Sequence, residues 1–98
     1  MNTLTHAIVT SPSGARALDG KLVLHEQNGK KEVTQNAPIT MKEGFLNPGV
    51  SLPVKDVKKG TFQSKLAGSV PYEFEVALIE IKEGLELWFR LDAFKLAN

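Results

Sequence analysis

The chain has 98 residues, 12 Lys or Arg against 11 Asp or Glu, and no cysteine. That length holds one hydrophobic core, not two, so residues 1–98 read as a single β domain. The lack of cysteine excludes a disulfide framework, a thiolate metal site and a thiol nucleophile, and points to the cytoplasm; a net charge of +1 is far below the balance expected on duplex nucleic acid.

In chain order, Met1–Thr10 lacks the basic segment and long apolar run of a secretory signal, and Leu4–Thr10 reads as a first strand. Ser11-Pro12-Ser13-Gly14 and Asp19-Gly20 read as turns. Gly20–Asn28 and Lys30–Asn36 alternate polar with apolar around Asn28-Gly29, the dipeptide suited to a type I′ hairpin turn. A loop of those two residues pairs Leu24 with Val33, His25 with Glu32 and Glu26 with Lys31.

Ala37–Gly60 is punctuated by Pro38, Gly44, Pro48-Gly49, Pro53 and Gly60, which leaves room for a loop or short edge strands. Asn47-Pro48-Gly49-Val50 suits a type II turn. Ser51–Gly60 suits one short helix, begun by Pro53 and stopped by Gly60. Thr61–Leu66 reads as a strand.

Tyr72–Ile81 and Leu85–Lys95 form a second hairpin through Lys82-Glu83-Gly84, and both strands carry apolar groups on both faces. A Glu83-Gly84 loop sets Val76 and Leu78 opposite Leu91 and Phe89, the preferred register. A loop one residue longer places Ala77, Ile79 and Ile81 with Phe89, Leu87 and Leu85, leaving Val76 and Leu78 beside Trp88. The Tyr72–Ile81 stretch, with Glu73, Glu75 and Glu80, is too short and too charged to cross a bilayer as a helix. Short strands with Gly and Pro turns predict an all-β, mostly antiparallel domain: a small barrel or sandwich, OB-like or SH3-like, with at most one short helix.

Chemistry-bearing groups are sparse. The two histidines, His6 and His25, have no cysteine to join them in a metal site. Ser11, His6 and Asp19 assemble a triad only on paper, since no serine sits in a nucleophile elbow. Ser13-Gly14-Ala15-Arg16 lacks the glycine spacing of a phosphate loop. Glu73, Glu75, Glu80, Glu83 and Glu86 fall where alternation points charge at solvent. The expectation is a non-enzymatic protein without cofactor or metal.

Two binding classes remain. Trp88 lies on the parity opposite Leu87, Phe89 and Leu91, so it is expected either to be exposed or to be covered by Phe45–Leu52. If exposed, it forms with Leu78, Ile79 and Arg90 a face for a protein partner or a second copy, and a homodimer would bury the two-faced hairpin. The chain is then a small inhibitor, adaptor or assembly subunit. The alternative is single-stranded nucleic-acid binding through Lys55, Lys58, Lys59, Phe62 and Lys65, a basic segment around an aromatic. Met1–Lys65 carries nine Lys or Arg against five Asp or Glu, and Leu66–Asn98 three against six. That imbalance either polarises the molecule or only solubilises strand faces.

Overall fold

A computed structural model of the chain describes residues 6–36 and 44–97. Among them the strands are β1 (His6–Val9), β2 (Ala15–Arg16), β3 (Gly20–Glu26), β4 (Gly29–Gln35), β5 (Phe45–Leu46), β6 (Ser51–Ser64), β7 (Tyr72–Lys82), β8 (Leu85–Arg90) and β9 (Phe94–Ala97). A 3₁₀ turn over Leu91–Ala93 separates β8 from β9. Every ladder is antiparallel, as the period-two patterning predicts.

β6 is the spine. Near its C-terminal end it pairs with both β3 (Leu22↔Phe62) and β7 (Phe62↔Tyr72). At its N-terminal end it pairs with β1 (Ala7↔Leu52), which in turn carries β9 (Ala7↔Leu96). β4 extends the sheet beyond β3, β8 extends it beyond β7, and β2 and β5 form a separate two-stranded ladder. The sheet is open: no ladder joins β4 to β8 among the described residues.

The helix expected over Ser51–Gly60 is instead the first part of β6, a strand of 14 residues that also takes in Thr61–Ser64. Pro53 is tolerated because it stands opposite His6, where the β1 ladder ends, one residue before Val54↔Ile79 opens the β7 ladder. A missing N–H costs least where a strand changes partner. A register irregularity between Val54 and Asp56 follows and lets the strand bend there.

The first hairpin forms, but two residues out of the expected register. Leu22 faces Val33, Leu24 faces Lys31 and Glu26 faces Gly29, so the turn is Gln27-Asn28. No described residue other than glycine has positive φ, which excludes the type I′ turn at Asn28. A shift of two keeps every side chain on its face, so Leu22 and Leu24 still point inward. His25 now opposes Lys30 and not Glu32. The turn at Asn47–Val50 closes as expected, with Val50 N–H bonded to Asn47 O at 3.2 Å and Gly49 at φ +90°.

The second hairpin takes the longer-loop register: Ala77↔Phe89, Leu78↔Trp88 and Ile79↔Leu87, with an irregularity between Glu80 and Lys82 absorbing the extra residue. This replaces the preferred pairing of Leu78 with Phe89, and its reason is burial on both sides. Ala77, Ile79 and Phe89 enter a cluster with Ala7, Val9, Leu46 and Phe94. Val76 and Trp88 enter a second cluster with Leu18, Leu22 and Leu24. Alternate residues of one hairpin thus serve two cores, and its two-faced apolar pattern is satisfied within one chain.

Candidate functional site

On the face of the second cluster, β6, β7 and β8 place Phe62, Tyr72, Phe74 and Arg90 side by side. Phe62 and Tyr72 are cross-strand partners, Phe74 is two residues along β7, and Arg90 opposes Val76. All four line an open cleft of about 370 Å³ with Leu18, Ser64 and Val70. Phe62 and Phe74 form its floor, ring centroids 6.1 Å apart and tilted by 50°, and both pack down on the Leu22–Trp88 cluster. Tyr72 is 63% exposed at the rim. The Arg90 guanidinium carbon stands 4.3 Å from the Phe74 centroid, and its Nη2 donates to Asp92 Oδ2 at 2.8 Å.

The opposite rim, Ser64–Pro71, is braced by its own hydrogen bonds. Ser69 Oγ donates to Leu66 O at 2.7 Å, Leu66 N–H donates to Ser64 Oγ at 3.2 Å, and Gln63 Nε2 donates to Ser69 O at 3.1 Å. Leu66 (74%) and Val70 (56%) stand exposed on it. A shallower groove of about 260 Å³ continues past Leu18, Phe62 and Ser64 to Arg16, whose guanidinium carbon lies 5.5 Å from the Phe45 centroid. Lys65 is near this end, bonded to Asp19 Oδ1 at 3.2 Å and to Asn36 Oδ1. A groove with aromatic walls and a guanidinium at each end can hold planar, unsaturated groups attached to a polyanion.

The residues expected to form a protein-binding face are largely inside. Trp88 is 7% exposed and Ile79 fully buried, and Leu78 is half-buried against the second cluster. Of the two readings of Trp88 the covered one holds, with a different cover: Leu18, Leu22, Leu24 and Val76 enclose it. Leu46, Val50 and Leu52 join the first cluster, on the other side of the hairpin. Arg90 of that set lines the cleft.

The expected basic segment is dispersed by strand alternation. Phe62 lines both grooves. Lys58 lies 3.5 Å from Glu26 Oε1 and 3.8 Å from Asp56 Oδ2. Lys59 opposes Glu75 in the ladder, on the face away from Phe62, and Lys55 is exposed near the far end of β6. Because basic β6 lies beside acidic β7, the charge imbalance along the sequence is interleaved in space. Sequence reasoning missed Tyr72 and Phe74 as site residues; the signal was their shared parity with Phe62, legible only once β6 and β7 are paired.

His25 Nε2 lies 3.5 Å from Glu73 Oε2, without hydrogen-bond geometry, and not beside Glu32. The Ser11 hydroxyl meets that of Ser13. No cluster of three metal-ligating side chains exists among the described residues, and none of their helices is long and apolar enough to cross a membrane. No family model, curated protein or solved structure matches the chain.

Proposed function

We propose that the protein is a non-enzymatic binding module that holds single-stranded nucleic acid in the Phe62–Tyr72–Phe74–Arg90 cleft, an OB-like use of a curled, open sheet in the cytoplasm. The observation that carries this reading is three aromatic side chains and an arginine on one face of three adjacent strands, with Tyr72 63% exposed. Large apolar rings left at a surface mark a contact site. Tyr72 and Phe74 are about 7 Å apart along β7 at ~3.4 Å per residue. Bases in a duplex strand are spaced at about 3.4 Å. Only a strand with its bases spread apart can offer one base to Tyr72 and another to the Arg90–Phe74 pair.

The test is a titration with a labelled oligothymidine of about 20 nucleotides, read by anisotropy at low and physiological salt. Saturable binding that weakens as salt rises, and that Tyr72→Ala reduces, supports the reading; a flat titration overturns it. Trp88 is not the reporter, because it is enclosed.

A second reading, a contact with a protein partner or a second copy, is favoured by a different observation. Leu66–Tyr72 contains no charged residue and exposes Leu66, Val70 and Tyr72. An uncharged patch can meet its own copy without like-charge repulsion. A Leu66→Asp variant that leaves the sedimenting mass unchanged, beside a monomeric parent, sinks that reading.

A further inference from the structure

Resting on the nucleic-acid reading of the cleft, we infer that Arg90 is a flat stacking platform for a nucleobase, held in place by Asp92, and not an anchor for phosphate.

Three features of the side chain point the same way. Its guanidinium carbon lies over the Phe74 ring, 4.3 Å from the centroid, so the ring backs the cation on one side. Its Nη2 donates to Asp92 Oδ2 at 2.8 Å, so one of its five N–H donors is engaged and the charge is partly offset. The side chain keeps half of its surface, 51%, toward solvent at a cleft that Tyr72 also borders. A planar cation that is backed by an aromatic ring and half open to solvent is suited to take a base. A phosphate anchor has the opposite needs: in-plane N–H groups free to point at oxygen, and no carboxylate beside them.

The two roles give opposite signs when the neighbours are changed. Arg90→Lys keeps the charge and removes the plane; a platform loses roughly tenfold in affinity for oligothymidine with the salt slope unchanged, while an anchor keeps its affinity. Asp92→Ala removes the opposing charge and frees the fork. A platform then binds more weakly because its orientation is lost, whereas an anchor binds more tightly and with a steeper salt slope.

The experiment is therefore anisotropy of labelled oligothymidine at several salt concentrations for the parent chain, Arg90→Lys and Asp92→Ala, with melting curves for all three. Weaker binding by both variants at an unchanged salt slope is the expected result. Parent binding with Arg90→Lys equal to it, or with Asp92→Ala tighter, overturns the platform role and leaves the proposed function standing. A parent chain that does not bind overturns both. Should Arg90→Lys melt early, the sign of the Asp92→Ala change decides alone.

Discussion

The side chain of Gln35 completes the free edge of β8 at Trp88. Its Oε1 accepts the Trp88 N–H at 2.8 Å and its Nε2 donates to the Trp88 carbonyl at 3.0 Å and to the Leu18 carbonyl at 2.7 Å. One amide thus does for β8 what the peptide of a neighbouring strand would do. With Leu18 N–H also bonded to the Trp88 carbonyl at 3.0 Å, it ties β4 to β8 across the gap where the sheet stays open. Gln35 is itself buried, so these bonds are shielded from water.

Removing that amide is expected to cost more than a surface change. Gln35→Ala leaves the Trp88 N–H and the Leu18 carbonyl without that partner in a buried place, at ~1–3 kcal/mol for each such group. Gln35→Glu tests the donor side alone: a carboxylate still accepts from Trp88 N–H but faces two carbonyls. Those carbonyls and burial raise its folded pKa above the unfolded value, so folded protein holds the proton longer. The variant's stability then falls as pH rises past the unfolded carboxylate range of about 4.3, and recovers in acid. Urea melts of both variants from acid to neutral pH check this; a pH-independent Gln35→Glu deficit contradicts it.

Gly20→Ala is predicted to be among the most damaging single-methyl additions. Gly20 begins β3 at φ +157°, and a Cβ there would stand 2.2 Å from the Gln63 carbonyl oxygen on β6. That oxygen belongs to a paired backbone and cannot swing away. A loss of about 2–4 kcal/mol by denaturant melting is expected; Gly84→Ala, where nothing lies within 4 Å, should pay only for its φ of +84°.

Binding and folding should separate at Tyr72. Its side chain is largely exposed, so Tyr72→Ala is expected to leave the melting temperature nearly unchanged while reducing affinity for oligothymidine roughly 5- to 150-fold, at ~1–3 kcal/mol per stacked base. Changing Lys55, Lys58 and Lys59 together to Gln should alter it less than about threefold. Lys55 is roughly 23 Å along β6 from Phe62 at ~3.3 Å per residue, beyond the ~10 Å reach of an exposed charge. Lys59 faces the other way. A triple variant weaker than Tyr72→Ala would return the site to the lysines.

The hairpin core gives the reverse pattern. Phe89 is wholly buried, edge-on to Phe94 with centroids 5.6 Å apart. Phe89→Ala is expected to cost ~3–5 kcal/mol, a large part of the ~5–10 kcal/mol available to a domain of this size. Calorimetry or urea unfolding measures it, and a cost under 1 kcal/mol would mean that the cluster repacks around the hole.

Strand existence was legible along most of the described chain because period-two patterning is a local property. Register was not, because a shift by two keeps parity and a bulge changes it by one; Leu22↔Val33 and Ala77↔Phe89 were decided by packing across the sheet. β6 was misread because Pro53 and Gly60 carry the same local signals at a helix start and stop as at a partner change and a close strand crossing. Phe62, singled out from the sequence, does line the cleft. Its neighbours Tyr72 and Phe74 come from another strand, and Arg90 was chosen for the company of Trp88, which faces into the protein one turn of the pleat away.

Because β7 and β8 send alternate side chains into two clusters, neither cluster has a boundary of its own at which to come apart. Loosening Ile79 disturbs Leu78, and Phe89 cannot leave without dragging Trp88. Amides beside both clusters should therefore exchange with solvent hydrogen through one shared opening event, giving a small open sheet the all-or-none behaviour of a single block.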